Sequence, residues 1–569
     1  MSKKSSAKNI GTLIMIAIVM IVVFVGAIFF IDKDGKTNSQ ISREAASARL
    51  EKKLKKIEIL TGTPRKAAVE IADSNLADEL PDIEKYPLSV SGGGTLDLEI
   101  FSSTEKSSKG TDGWLNEIAE EFNRTQYDVN GQWGTISVRP IASGAAVDYI
   151  VSGKHVPPVY SPSNTIWGDI IKSQNVDINL VCDRIAGNTA GVLIHEDAYE
   201  KLQASYGTVD VNTIIEATIK SEIAMGYTNP YASSTGINFL LCALQNFDST
   251  DILSDNAISK FQQFQQNVPF VAYSTLQMRD AADNGVLDAF VLEYQCYSNL
   301  PELHDYQFIP FGVRHDNPVY SIGTLSPDQE QLLNAFIDFC KSEPAQRAAK
   351  KYGFNYIEDY SSTISSDITG AQMLSAQHLW KTEKDSGAPV LAVFVADVSG
   401  SMAGAPITNL QTSLINASQY INSSNYIGLV SYSTDVTINL PIAQFDLNQR
   451  SYFTGAVEDL SPGGNTATYD AVLVALNMLM TEQEKIEAST GQKVKPLLFV
   501  LSDGETNIGN NLSDIDDIVS GFEVPCYTIG YNADLKKLAE LSAINEAASI
   551  NADSDDVVYN LKSLFNAQM

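Results

Sequence analysis

From residue 391 to residue 544 apolar runs alternate with helix-like stretches, and that alternation limits what the chain can fold into more than any other feature. The runs lie at 391–396, 427–432, 497–501 and 524–529, and the stretches between them at 406–421, 469–482 and 535–544. Strands and helices in alternation pack as a parallel sheet with helices on both faces. Ligands in such sheets gather where the strands end. Two of these runs are closely followed by an acidic residue, Asp397 in LAVFVADVSGSM and Asp503 in LLFVLSDGE.

Asp397, Ser399 and Ser401 occupy alternate positions, so in an extended loop their side chains point the same way. One carboxylate and two hydroxyls then converge on one point. All three offer hard oxygen, which suits Mg²⁺ or Mn²⁺ rather than zinc. Thr466, in GGNTATYDA, adds a hydroxyl, and Asp503 reaches the ion through a water. Two carboxylates, one of them indirect, leave the metal under-neutralised. An octahedral ion held this way keeps one position for an acidic group from outside. The plain alternative is an Asp/Ser/Gly turn between strand and helix, and the three pieces in this order weigh against it.

On the motifs ADVSGSM, GGNTATYDA, LLFVLSDGE and CYTIGYNADLKKLAELS, residues 388–569 resemble the von Willebrand factor type A (VWA) domain. The resemblance implies a doubly wound, Rossmann-like α/β fold with a metal-ion-dependent adhesion site. It assigns Asp397, Ser399, Ser401, Thr466 and Asp503 as metal ligands. Asn465 stands where the family commonly has glycine.

A chain of 569 residues has room for about three or four folded units. Its 69 acidic against 39 basic residues give a net charge of −30, which opposes nucleic-acid binding, since phosphate contacts need clustered Lys and Arg. The five cysteines are far apart and form no CxxC or Cys/His cluster, so a structural zinc site is not expected. Free buried thiols are the expectation, with one disulfide left open. No GxSxG, HExxH or P-loop appears, and no nucleophile–base constellation is visible, so the chain does not read as an enzyme.

Leu13 to Ile31 is an almost unbroken apolar run, long enough to cross a bilayer core, with Lys3, Lys4 and Lys8 before it. The positive-inside bias makes residues 1–12 cytoplasmic, 13–31 a single transmembrane helix, and everything after it extracellular. A cleaved signal peptide is the rival; the run is long for one and no A-x-A site follows. Residues 32–94 read as a stalk and linker, helical near 38–60 and ending in Ser91-Gly92-Gly93-Gly94.

A second α/β pattern starts at Leu96: the strand LDLEIF, a helix carrying Trp114, Leu115, Ile118 and Phe122, the strand TISVRPI, the helix GAAVDYIVSG and a third strand within PPVYSPSNTIW. On LEIFSSTEKS, PVYSPSNTIWGDII, GYTNPYASSTGINFLLCAL and LSPDQEQLLNAFIDFCKSEPAQRAAKKYGFN, residues 95–360 resemble bacterial extracellular solute-binding proteins. That resemblance implies a two-lobed periplasmic-binding-protein-like fold with a ligand between the lobes. It puts Ser102, Ser103, Ser163, Asn229, Ser233, Ser234 and Thr235 at the cleft, with Glu293 and Tyr294 as weaker candidates. Capping and turn formation are the plain roles for such residues. Residues 361–387, with Met373, Leu374, Leu379 and Trp380, read as a connector holding a helix docked between domains.

The expectation is a membrane-anchored recognition protein of a bacterium. It binds a protein ligand that offers an acidic side chain to the metal, and a small solute in the middle domain is left open. The alternative is the solute-binding component of an ABC transport system.

Overall fold

A computed structural model describes residues 42–69, 77, 80–268, 270–272, 278, 287–383, 388–503, 506–531, 536–543 and 549–552. The expected transmembrane run at 13–31 lies outside the described residues. Among those described, no helix is long and apolar enough to cross a membrane.

In chain order the strands are β1 (Ile59–Thr61), β2 (Leu96–Ser102), β3 (Asp128–Val129), β4 (Gln132–Pro140), β5 (Val159–Ser161), β6 (Ile178–Cys182), β7 (Thr189–His195), β8 (Met225–Thr228), β9 (Phe270–Ala272), β10 (Ala289–Glu293), β11 (Tyr306–Arg314), β12 (Val319–Ile322), β13 (Val390–Asp397), β14 (Tyr426–Tyr432), β15 (Val436–Gln444), β16 (Lys495–Ser502), β17 (Cys526–Tyr531) and β18 (Ser549–Ala552). They form three sheets, ordered β3-β4-β2-β5-β12-β6, β11-β7-β10-β8-β9 and β1-β15-β14-β13-β16-β17-β18.

The third sheet is the expected doubly wound one. Its strands β14, β13, β16, β17 and β18 run parallel, while β15 turns back antiparallel to β14. Every residue of β13 is buried, because helices cover both faces. Val390, Ala392, Phe394 and Ala396 face one layer, with Ile407, Leu410 and Phe453. Leu391, Val393 and Val395 face the other, with Val472, Leu476 and Val519.

This sheet corrects the stalk reading. β1 pairs parallel with β15 at the sheet edge, Ile59 opposite Val436. Helix Arg43–Leu54 lies on the same domain, with Ala46 and Leu50 buried in the second layer. The alternation of small or apolar residues on one helix face and lysines on the other looks like a solvated stalk, but Ala46 and Leu50 alone suffice to seat the helix. The C-terminal domain therefore includes a segment of the N-terminal quarter of the chain. The middle domain is inserted between β1 and β13.

The other two sheets are the two lobes of the middle domain. The lobes cross over twice: β7 follows β6 into the second lobe, and β12 returns from β11 to the first. Trp114, Leu115, Ile118 and Phe122 are all buried on the first lobe. The connector helix is also corrected. Gly370–Glu383 belongs to the middle domain and straps its lobes together, because its apolar residues find partners on both. A Cβ on Gly370 would stand 2.1 Å from the Asp169 carbonyl oxygen of the first lobe. On the second lobe Gln377 Nε2 donates to the Pro230 carbonyl at 2.8 Å, and Trp380 Nε1 donates to the Tyr227 hydroxyl at 2.6 Å.

Candidate metal centre and the seam between the lobes

Asp397 ends β13 in the centre of the sheet, and β16 delivers Ser502 and then Asp503 alongside it. The Asp397 carboxylate is fully buried. Its Oδ1 accepts the Ser399 amide at 2.8 Å. Its Oδ2 accepts the Ser502 hydroxyl at 2.6 Å and the Tyr432 hydroxyl at 3.3 Å. Ser399 Oγ lies 3.0 Å from Ser401 Oγ, and Ser401 Oγ donates to Asp503 Oδ1 at 2.9 Å. Four of the five predicted ligands are thus one connected oxygen cluster.

Thr466 reaches the cluster through backbone. Gly400 N donates to the Gly464 carbonyl at 3.1 Å and Gly463 N to the Val398 carbonyl at 2.8 Å, which ties the two loops together. Gly464 has φ +80°, and a Cβ there would meet Thr434 Oγ1 at 2.7 Å, so the loop needs glycine at that position. Asn507 clamps Thr466 from the other side, its Oδ1 accepting the Thr466 amide at 2.9 Å and its own amide donating to the Thr466 carbonyl at 2.9 Å.

Burial pushes the Asp397 carboxyl above the usual carboxylate range; hydrogen bonds from Ser502 and Ser399 oppose that, and the charge of Asp503 adds to it. No basic side chain stands among the described partners of either carboxylate. A buried carboxylate with only neutral donors around it and a second carboxylate nearby lacks a counter-ion. The oxygen-only donor set and this missing charge fit a hard divalent cation. Among the described residues no cluster of three or more His, Cys, Asp or Glu side chains forms; here hydroxyls supply the remaining oxygens. Ser502, Tyr432 and Asn507 were not foreseen. Ser502 adjoins Asp503 and was within reach of the sequence, whereas nothing in the chain singles out Tyr432 or Asn507.

In the middle domain the predicted cleft residues sort into two groups. Asn229, Ser233 and Ser234 serve the local structure. Asn229 Oδ1 accepts the Tyr231 amide at 2.8 Å, Ser233 caps helix Ser234–Phe247, and Ser234 Oγ accepts Trp167 Nε1 at 2.8 Å from the other lobe. Thr235 is buried within that helix's first turn. Ser102, Ser103 and Ser163 sit at the ends of β2 and β5, all buried. Ser103 Oγ accepts Lys106 Nζ at 2.7 Å, and Ser163 Oγ has no partner among the described residues. Tyr294 packs instead among Tyr297, Phe308 and Tyr356.

Glu293, a weaker cleft candidate from the sequence, centres a buried network at the seam whose other members the sequence did not single out. Glu293 accepts His315 Nδ1 at 2.8 Å and Asn188 Nδ2 at 2.6 Å. His315 Nε2 faces Asn164 Nδ2 at 3.0 Å and Asn238 Nδ2 at 3.1 Å. The oxygens of both amides accept backbone N–H groups, of Ile166 and Val313, so their nitrogens must face His315 and its Nε2 must accept. Lys106 is fully buried and also donates to the Ser161 carbonyl at 2.8 Å. Burial pushes its ammonium down to about 7, with Glu105 and Glu293 opposing. Burial likewise pushes Glu105 up to about 7, with Glu293 adding to the shift. All five cysteines are free and buried.

The C-terminal sheet defines a doubly wound α/β domain, and the two lobes define a binding-protein fold. The comparisons name both. Residues 392–567 match the family model of the von Willebrand factor type A domain, and residues 107–355 that of the bacterial extracellular solute-binding protein. The chain therefore joins a VWA domain to a solute-binding-protein-like domain. Inter-alpha-trypsin inhibitor heavy chain H3 of Bos taurus is 28% identical over 155 residues, 26% of this chain and 17% of that protein. Heavy chain H4 of Homo sapiens is 25% identical over 193 residues, 32% of this chain and 20% of that protein. The chain thus spans about a fifth of the length of these curated relatives. Among solved structures, a periplasmic thiamin binding protein is 12% identical with a TM-score of 0.36, covering 51% of this chain and 95% of its own.

Proposed function

We propose that this is a bacterial single-pass membrane protein whose VWA domain recognises an acidic group on a protein partner through a bound Mg²⁺ or Mn²⁺. One observation carries the reading: Asp397 is buried at the end of the central strand with no counter-cation among the described residues, inside a cluster of oxygens. Asp397, Ser399, Ser401, Thr466 and Asp503 would hold the ion. The ion supplies a positive, oxygen-seeking contact, and a carboxylate on it forms a charge-assisted bond. The apolar run Leu13–Ile31 supports the anchor, with the bulk of the chain outside the cell. The work proposed is binding, not catalysis. In a pull-down from cell envelopes, EDTA or Asp397→Ala abolishes partner capture while the domain stays folded. Capture that persists in excess chelator would overturn the reading.

A second reading rests on the middle domain. Ser161, Ser163 and Thr189 carry buried hydroxyls without partners among the described residues. Such hydroxyls support a solute-binding role in an ABC transport system. Titration calorimetry against a panel of small solutes tests it, and heat from a single tight solute would promote this reading over the first.

A further inference from the structure

Helix Arg43–Leu54 is the first described element after the apolar run, and its one buried stripe is Ala46 and Leu50. A helix this short is marginal in water by itself and depends on its dock. Polar contacts complete that dock: Arg43 Nη2 donates to Gln483 Oε1 at 2.9 Å, and Arg49 pairs with Asp517. Lys53 Nζ donates to Asn510 Oδ1 at 2.7 Å and to Asp514 Oδ1 at 3.1 Å.

Asn510 ends the segment that clamps the metal centre. Its amide and its Nδ2 both donate to Asp470 Oδ1, at 2.9 and 2.6 Å, in the first turn of helix Thr468–Thr490. Gly509 beside it has φ +80°, and a Cβ there would stand 2.4 Å from Asp470 Oδ2, so the segment lies hard against that helix. Three residues earlier Asn507 holds the Thr466 amide and carbonyl. Thr506 Oγ1 donates to the same carbonyl at 3.1 Å and accepts the Thr468 amide at 2.9 Å. A run of five residues therefore has the metal-site loop at one end and Lys53 at the other.

We infer that the N-terminal helix is a brace for the metal centre, with Lys53 its positioning residue, so that helix docking and cation binding strengthen each other. This rests on the proposed cation site. Coupling between two sites is reciprocal: whatever docking adds to cation affinity, the cation returns to docking. The helix lies between the apolar run and the C-terminal domain in the chain, so tension on the N-terminus would act on the dock first.

The test uses the full chain in detergent, with Mn²⁺ binding followed by electron paramagnetic resonance. Lys53→Met, and separately Ala46→Asp, are expected to weaken Mn²⁺ binding by about 3- to 30-fold. Arg65→Ala, which removes ion pairs to Glu458 and Asp459 away from the segment, is expected to leave it unchanged. In the unmutated chain Mg²⁺ is expected to slow hydrogen exchange across residues 43–54, a response that a merely structural helix would not give. Absence of Mn²⁺ binding to the unmutated chain would overturn the cation site itself. Tight Mn²⁺ binding with equal affinity in both helix variants, and helix exchange indifferent to Mg²⁺, would overturn the brace alone.

Discussion

Asp397 and Glu293 are both buried carboxylates at strand ends, and their surroundings differ in kind. Glu293 is met by His315 and Asn188, and His315 in turn by two asparagines whose orientation the backbone fixes. Asp397 is met by an amide and two hydroxyls, with a second carboxylate close by. Glu293 also lies within electrostatic reach of the buried Lys106 amine, a basic group that Asp397 lacks among its described partners. The Asp397 arrangement leaves negative charge uncompensated, and a buried charge left so is costly. On the proposed function the seam is a fastening and the VWA site a receptor.

The most severe way to break the fastening is at the strap. Trp380 is fully buried and bonds to Tyr227 across the seam. Trp380→Ala is expected to destabilise the middle domain by about 3–5 kcal/mol. All four tryptophans, at 114, 133, 167 and 380, lie in that domain, so the fluorescence of the remaining three during urea unfolding reports it alone. An unfolding midpoint unmoved by Trp380→Ala would show that the strap does not hold the lobes.

A pair of amide substitutions sharpens the contrast itself. Glu293→Gln must turn an NH₂ toward His315 or Asn188, both donors, and is expected to cost about 1.5–3 kcal/mol. Asp397→Asn removes a charge that nothing in the described protein neutralises. In chelator it is expected to stabilise the VWA domain by about 1 kcal/mol or more, while abolishing stabilisation by added Mg²⁺. Hydrogen exchange of β13 with and without Mg²⁺ measures the second substitution, and tryptophan fluorescence during urea unfolding the first. Equal losses from the two substitutions would erase the distinction.

The VWA half was legible because its information is local. The apolar run of β13 and the D-x-S-x-S spacing sit in one short stretch, and Asp503 follows its strand directly, so periodicity and residue chemistry sufficed. Thr466 was nameable for the same reason, but its clamp by Asn507 spans 41 positions and leaves no mark in the sequence. The seam was largely illegible. Glu293 and His315 are 22 residues apart, and Asn164 and His315 are 151 apart. Only folding two lobes together makes them neighbours. The stalk was misread because the amphipathic pattern of helix Arg43–Leu54 is weak, and the partner of β1 lies 377 positions ahead, Val436 against Ile59.

A smaller effect separates the seam's charges from its neutral bonds. Glu105 and Lys106 are buried side by side near Glu293 and Asp112, and both are displaced to about 7, the carboxyl from below and the ammonium from above. The folded-state value of Glu105 is raised, so its contribution is fully present below pH 4.5 and is lost as pH rises through about 7. The folded-state value of Lys106 is lowered, so its contribution is present above pH 10.5 and is lost as pH falls through about 7. Together they make this pair's own contribution to stability smallest near neutrality. Glu105→Gln is expected to flatten the acidic limb, whose slope is at most about 1.4 kcal/mol per pH unit for one proton. Urea titrations at a series of pH values check it, and an undiminished slope would assign the effect to other groups.

The smallest expected effect tests whether the seam is a closed fastening throughout. Ser163 carries a buried hydroxyl with no described partner, unlike Ser103, which holds Lys106. Removing an unsatisfied hydroxyl takes away its desolvation penalty and no bond. Ser163→Ala is expected to stabilise the solute-free middle domain by up to about 1 kcal/mol, whereas Ser103→Ala, which strips a partner from a buried ammonium, is expected to destabilise it. If a solute that raises the unfolding midpoint of the unmutated protein fails to do so for Ser163→Ala, the hydroxyl is a solute contact. The lobes then close on a ligand, and receptor function extends to both halves of the chain.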